Sequence, residues 1–374
     1  MSIEIKEIKS DQDLKRFIKF PLKLYKDHPC YVPAMCSDEL KTLNPKINPS
    51  FKHCEARYWL AYKGTEVVGR IAGIINFRHL EKWNEPYIRF GWFDFIDDQQ
   101  VSKTLLGAVE AWGLEKNLEA VHGPLGFTDL DREAMLIEGF NELGTLATYY
   151  NYAYYPVHME QLGYRKDADW VEYELQVPET LDPRISRAAN VVLKRNHLVW
   201  PDVRKKQDLL AYVPQLFEMI NKEYSDIYGT VPLTKQEIQH YTQAYFGFVH
   251  PDFVPFILDE QDRMVAFGVV IPSLSKALQK CRGHLLPFGW WHILRALRHN
   301  HRADLYLIAV NKKYQGLGVN IVLMEHIYNV FRQRGITVVE SNPELETNTN
   351  IQSQWKVFEK RQHKRRRCYI KRLA

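Results

Sequence analysis

Cysteine is scarce in this chain of 374 residues and follows no pattern. Cys30, Cys36, Cys54, Cys281 and Cys368 are odd in number, none stands in a Cys-x-x-Cys spacing, and no histidines complete a zinc pattern. A disulfide scaffold is excluded, no metal is expected, and reduced thiols are the simplest reading. Long apolar runs are missing too. No stretch approaches the roughly 20 residues that a membrane helix requires, and residues 1–9 alternate charged and apolar side chains without a signal-peptide core. A soluble, cytoplasmic protein is therefore expected. With 19 glycines and 18 prolines, the chain is no collagen.

Apolar residues make up 45% of the chain and charged residues 25%, the mix of a globular protein long enough to bury a large core. The length predicts two domains or three. The net charge of +5 is uneven. Segment 360–373 holds Lys360, Arg361, Lys364, Arg365, Arg366, Arg367, Lys371 and Arg372 and no acid; setting those eight cations aside leaves the remainder at −3. Uniform coating of a nucleic acid is thereby disfavoured, whereas an anion site near the C-terminus fits.

Patterning predicts a strand over 3–8, a helix over 11–27 with Asp11 as N-cap, and an irregular Pro-rich loop over 29–50. A hairpin follows at 57–63 and 67–76, then a strand at 87–96 and a helix at 100–116. The pattern weakens over 178–208, so a domain boundary is placed near 180, giving units 1–180 and 181–374. The second unit reads as helices 208–223 and 234–246 and a hairpin at 253–259 and 263–271. Strand 304–310, helix 318–333, strand 336–341 and a helix at about 350–361 complete it. The two hairpins, and the helix-then-strand texts at 154–175 and 352–372, are separated by nearly equal lengths of chain. That suggests a duplicated unit.

The most informative stretch is Val310-x-Lys312-x-x-Gln315-Gly316-Leu317-Gly318-Val319-Asn320, where a strand enters a glycine turn and a helix begins. Glycines permit positive φ, and helix N-terminal amides are free and partly positive, so the turn suits a pyrophosphate. It is neither a Walker A loop nor a Rossmann fingerprint. The spacing resembles motif A of the GNAT acyltransferases, and Asn348 or Asn350 followed by Trp355, Val357 and Phe358 resembles their motif B helix. The resemblance spans about 253–372. It implies an α/β fold of two GNAT-like domains, each a mixed, mostly antiparallel sheet flanked by helices. Segments 123–140 and Tyr154-Tyr155-Pro resemble a group of bacterial proteins that pair a degenerate GNAT half with a competent one. The degenerate half here would be the first, since strand 87–96 runs into Asp97-Asp98 without a glycine turn.

The resemblance further implies transfer of an acyl group, most simply from acetyl-CoA, to the amine of a small molecule. Gln315, Gly316, Leu317, Gly318, Val319 and Asn320 would hold the pyrophosphate, with Ile308, Ala309 and Val310 along the pantetheine and Asn348 nearby. Two departures stand out: Asn320 replaces Gly or Ala, and the motif B tyrosine that serves many members as general acid is absent. Glu340, as base, and Tyr306 are the catalytic candidates. Two rival readings remain: an aminoacyl-tRNA-dependent transferase using 360–373 to meet tRNA or another anionic surface, and a non-catalytic CoA-binding or scaffold protein.

Three other features are read more plainly. His326 is a helix-face histidine packed on the core. Asp129, Asp131 and Glu133 form a solvated turn, because the glycine and distal glutamate of a calcium loop are out of place. Segment 285–298, rich in Trp, Leu and Arg, is an amphipathic helix that covers the sheet, walls the acceptor or lies on a membrane surface.

Overall fold

The computed structural model describes residues 2–203, 205–355 and 358–374. The strands in chain order are β1 (Ile3–Glu7), β2 (Cys54–Lys63), β3 (Glu66–Asn76), β4 (Tyr87–Phe95), β5 (Ala120–Gly123), β6 (Met135–Glu138) and β7 (Arg165–Gln176), then β8 (Leu198–Val199), β9 (Phe256–Asp259), β10 (Met264–Pro272), β11 (Arg302–Val310), β12 (Val338–Ser341), β13 (Glu344–Leu345) and β14 (Lys360–Arg372). They form one 14-stranded sheet in the order β1-β2-β3-β4-β5-β14-β7-β12-β11-β10-β9-β8, with β6 beside β14 and β13 beside β7.

The order shows an exchange. β7 leaves the first half to pair antiparallel with β12, and β14 leaves the second half to pair antiparallel with β5. The two exchanged strands also pair with each other, from Lys360 opposite Leu175 to Ile370 opposite Arg165. Within each half the other neighbours are antiparallel, apart from the parallel pairs β4–β5 and β11–β12.

Helix Gln99–Glu115 covers the first half, burying Leu105, Val109 and Trp112 against Trp59, Ile71 and Phe90. Its counterpart, Val319–Arg334, packs Val319, Val322 and Leu323 against Ile257 and Ala266, beside Ala189 of helix Pro183–Arg195. Helices Val213–Glu223 and Lys235–Tyr245 cover the opposite face through Phe217, Ile220 and Tyr241. The loop between these two helices reaches the first half, where Lys82 Nζ, Trp83 Nε1 and Arg89 donate to carbonyls of Thr230 and Gly229 at 2.8–2.9 Å.

Several expectations shift. Ser10, not Asp11, caps the first helix: its hydroxyl accepts from the Asp13 amide. The Pro-rich stretch contains the helix Cys36–Thr42. The weakly patterned 178–208 holds Pro183–Arg195, started by the Asp182 side chain with Pro at its first position, where the missing N–H costs nothing. The last helix ends at Gln354, and Val357 lies outside the described residues.

The basic run becomes β14, and it is no free cationic surface. Arg361 pairs with Glu142 and Glu174, and Arg365 with Glu138, Asp169 and Glu346. Arg367 meets Asp169, Lys371 meets Glu110 and Arg372 meets Glu119. Lys364 and Arg366 are buried on Glu172, with Glu340 also on Lys364. Lys360 lies over the Tyr173 ring. Acids from β7 and from segments around it meet most of these charges, with Lys364 and Arg366 buried and Arg361 and Arg372 paired at the surface.

Candidate functional site

β11 and β12 pair only over 302–305 and 338–341. Beyond that point β12 ends and β11 runs on, so the edge of 306–310 has no strand beside it. A β-bulge at this place skips Tyr306 in the pairing with β10, and bulges re-aim side chains. The open edge is capped by side chains. Asn342 Nδ2 donates to the Tyr306 carbonyl at 3.2 Å. The Tyr224 hydroxyl donates to the Ile308 carbonyl at 2.9 Å and accepts from the Ile308 amide at 3.3 Å. Gln315 Nε2 donates to the Val310 carbonyl at 2.9 Å. An extended ligand carrying amides can exchange with these caps bond for bond.

At its far end β11 enters the turn anticipated from the sequence. Gly316 and Gly318 take φ of +76° and +83°, and Gly318 caps the helix Val319–Arg334. The amides of its first turn have no intrahelical acceptor and sit at the positive end of the helix dipole. A Cβ on Gly316 would meet nothing within 4 Å, whereas one on Gly318 would lie 3.1 Å from Val192 of the neighbouring helix. Lys312 is held by Asp226 at 3.0 Å. In the first half the matching helix end is filled by the protein itself: the Asp98 carboxylate accepts from the Gln100 amide and pairs with Lys63. A negative side chain there takes the place an anion would need.

Gly318→Ala is expected to weaken acyl-CoA binding about tenfold, since a left-handed residue with a side chain costs ~1–2 kcal/mol before any contact with Val192. Titration calorimetry with acyl-CoA measures it, and unchanged affinity would remove the turn from the site.

On the other side of the splay lies a cavity of about 660 Å³. Trp170, Phe217, Ile220, Leu307, Phe331 and Trp355 contribute to its mainly apolar wall. Of the residues anticipated from sequence, Tyr306, Ile308 and Asn348 line it. Ala309, Val310 and the turn Gln315 to Asn320 lie outside it, further along the same strand and helix. Asn348 caps the helix Thr349–Gln354 through its side chain. His326 is half-buried on its helix, its ring tilted against the exposed Trp200 at 4.8 Å between centroids rather than packed in a core cluster.

The carboxylates divide sharply. Glu340 is buried, but not in the cavity wall. Burial pushes its carboxyl up, yet Lys364 and His363 outweigh burial and hold it low. It is a fixed anion in an ion-pair cluster, which corrects its reading as a base. Glu344, four residues on, faces the cavity. One oxygen accepts from Trp355 Nε1 at 2.7 Å and the other is buried without a partner. Burial pushes this carboxyl up to about 7, against the Trp355 hydrogen bond and the lowering influence of Ser341 and Lys360. Burial likewise holds the unpartnered Tyr306 hydroxyl well above the ordinary phenol range. Asp129, Asp131 and Glu133 lie at a turn as expected, but they are only partly exposed and line the cavity. Burial raises them to about 7, 6 and 8 respectively.

Sequence reasoning passed over Glu344, Tyr224 and Asn342. The available signal was a short polar text, Ser341-Asn342-Pro343-Glu344, just past the strand next to the one that carries the turn.

The splayed strand, the glycine turn and the doubled sheet define a GNAT fold of the acyl-CoA N-acyltransferase class, in tandem. Solved structures agree on the fold. A tandem GNAT protein from the clavulanic acid biosynthesis pathway superposes with a TM-score of 0.57 at 9% identity, covering 100% of this chain and 99% of that one. A GCN5-related N-acetyltransferase from Sphaerobacter thermophilus gives 0.51 at 12%, covering 100% and 96%. No family model matches the sequence. Protein YghO of Escherichia coli (strain K12) is 30% identical over 368 residues, 96% of this chain and 93% of that protein, and the chain belongs to the same family. It is also 28% identical over 320 residues to the bacterial ceramide synthase of Caulobacter vibrioides (strain NA1000 / CB15N), covering 82% and 80% of the two chains.

Proposed function

We propose that the protein is an acyl-CoA-dependent N-acyltransferase whose acceptor is a long-chain amine or amino alcohol. The observation that carries the reading is the cavity. At about 660 Å³ and with a mainly apolar wall it has the size of a small-molecule pocket, ~300–1,000 Å³. An acetyl group and a small polar amine would leave most of that wall unmatched, so the acetyl donor is the less favoured choice. The name of one relative, a ceramide synthase, points the same way, since a ceramide is the amide of a long-chain amino alcohol. The units 1–180 and 181–374 would each be one GNAT-like domain completed by the other's last strand.

In this reading the turn from Gln315 to Asn320 takes the pyrophosphate, and the edge at Ile308, Ala309 and Val310 takes the pantetheine amides as Tyr224 and Gln315 give way. The amine nitrogen attacks the thioester carbonyl, the C–S bond breaks and the amide forms. Glu344 takes the proton from the nitrogen, because an amine attacks only with its lone pair free. Tyr306 supplies a hydrogen bond to the departing thiolate, in the place of the missing motif B tyrosine. The pairing of β14 removes the feature that favoured tRNA.

The test is a panel of acyl-CoAs from acetyl to palmitoyl against short and long-chain amino alcohols, read by free-thiol release and by mass of the amide. Turnover is expected to favour the long partners. Binding of acyl-CoA with no amide from any partner would leave the scaffold reading in its place.

A further inference from the structure

From Arg263 to Ala303 the sequence contains no acidic residue. Within this stretch the helices Ser275–Cys281 and Gly289–Arg298 pack side by side. Their outer surface is unusual for a soluble protein. Leu286 is 78% exposed, Phe288 69%, Trp290 49% and Trp291 46%, with Leu285 and Leu294 also exposed. Scattered apolar side chains on a surface mean little, but a contiguous group marks a contact. Around it stand Lys276, Lys280, Arg282, Arg295 and Arg298, all exposed. Among the described residues none of these cations meets a carboxylate; Arg295 only lies over the Trp291 ring. The contrast with β14, where almost every cation has its acid, is plain. Lys276, Lys280 and Arg282, together with Gln279 and His292, border one shallow, open depression.

The patch also continues inward. Leu285 and Ile293, from this same element, contribute to the wall of the main cavity, next to Leu274 and Leu278.

We propose that this face docks on an anionic phospholipid bilayer, with Leu286, Phe288, Trp290, Trp291 and Leu294 entering the boundary between headgroups and acyl chains and the cations resting on the lipid phosphates. A helix with Trp, Phe and Leu on one side and Lys and Arg beside them lies in the plane of the interface, and tryptophan favours that depth. No helix of the described residues is long and apolar enough to cross the membrane, so the contact is peripheral. A second copy of this chain fits less well, because its own patch is cationic and offers these cations no acids. Docked in this way, the cavity wall adjoins the acyl region, and a lipid acceptor reaches the splay without crossing water. That last consequence rests on the acyl-transfer reading; the docking itself does not.

The experiment is sedimentation of the full-length protein with vesicles of phosphatidylcholine alone and of phosphatidylcholine mixed with phosphatidylglycerol. Mixed vesicles are expected to bind it more tightly, and lipids brominated in their acyl chains are expected to quench tryptophan fluorescence. Phe288→Glu with Trp290→Glu should reduce binding more than tenfold. Lys280→Glu and Arg298→Glu should each reduce it about fivefold or more. Thermal unfolding should not move, since these side chains are exposed. Absence of wild-type binding to mixed vesicles, or full binding by the Phe288/Trp290 variant, overturns the proposal. So does a concentration-dependent dimer that the same substitutions abolish. Binding without amide formation from any amine would sink the acyl-transfer reading and leave the docking intact.

Discussion

Replacing Glu344 by glutamine is expected to lower turnover by ~10²–10⁴-fold, the range for loss of a positioned general base. Glutamine keeps the size of the side chain and can still accept from Trp355, so acyl-CoA affinity should stay within a few-fold. The pH profile is the discriminating measurement. A base raised to about 7 by burial must be deprotonated to work, so kcat/KM of the parent should rise with pH through about 7 and then level off. The variant should lose that limb. Stability carries the opposite sign. A carboxyl whose folded pKa stands above its unfolded value binds more protons when folded. Its contribution is therefore complete below about 4.5 and is lost as pH rises to about 7. The glutamine variant should show a weaker decline over that window in thermal melts. A full-rate variant with an unchanged profile would exclude Glu344 as the base and leave the cavity carboxylates Asp129 and Glu133 as candidates.

Lys364→Met should have the largest effect on folding. Lys364 is 1% exposed and touches both Glu172 and Glu340, which are also buried. Removing one member of a buried ion pair costs ~3–5 kcal/mol, because the remaining charge keeps its desolvation penalty and loses its partner. Arg366 still serves Glu172, so the deficit falls mainly on Glu340, left with Arg302 at 3.7 Å and His363 at 3.4 Å. The pH dependence follows. Lys364 and His363 hold the Glu340 carboxyl low, so the stability it contributes is present above the unfolded carboxylate pKa and is lost as pH falls toward the folded one. Without Lys364 the deficit should be greatest at neutral pH and shrink in acid, where Glu340 is protonated. Adding Glu340→Gln should recover much of the loss. Urea titrations of the parent, the single and the double variant measure all three. A loss below about 1 kcal/mol would mean that the cluster is solvated rather than buried.

Both predictions turn on carboxylates only four residues apart, and this separates what could be read from the sequence and what could not. The turn at Gln315 to Asn320 was legible because its determinants are local: a strand, glycines at two left-handed positions and a helix start lie within a few residues. The hairpins and the long helices were legible for the same reason, through alternation and helical spacing. The helix Pro183–Arg195 was missed because its strongly polar outer face diluted the pattern, although Asp182-Pro183 is itself a start signal.

The roles of Glu340 and Glu344 were not legible. Which carboxylate is neutralised depends on Lys364, and Lys364 reaches Glu340 only because β14 crosses into the first half and lies along β7. The same crossing turned a cationic tail into a set of ion pairs, of which those of Lys364 and Arg366 are buried. The apolar cavity, and the acids at 129, 131 and 133 that face it, likewise arise where segments far apart in the chain converge.

The sequence by itself determined the fold class, the doubled arrangement of elements and the glycine turn, because backbone conformation at glycines and the period of apolar residues are set by near neighbours. Only the tertiary structure decided which charges are spent, which acid is kept near neutral pH and how much apolar space adjoins the splayed strand, because desolvation and Coulomb energies depend on distance in space and not on separation along the chain.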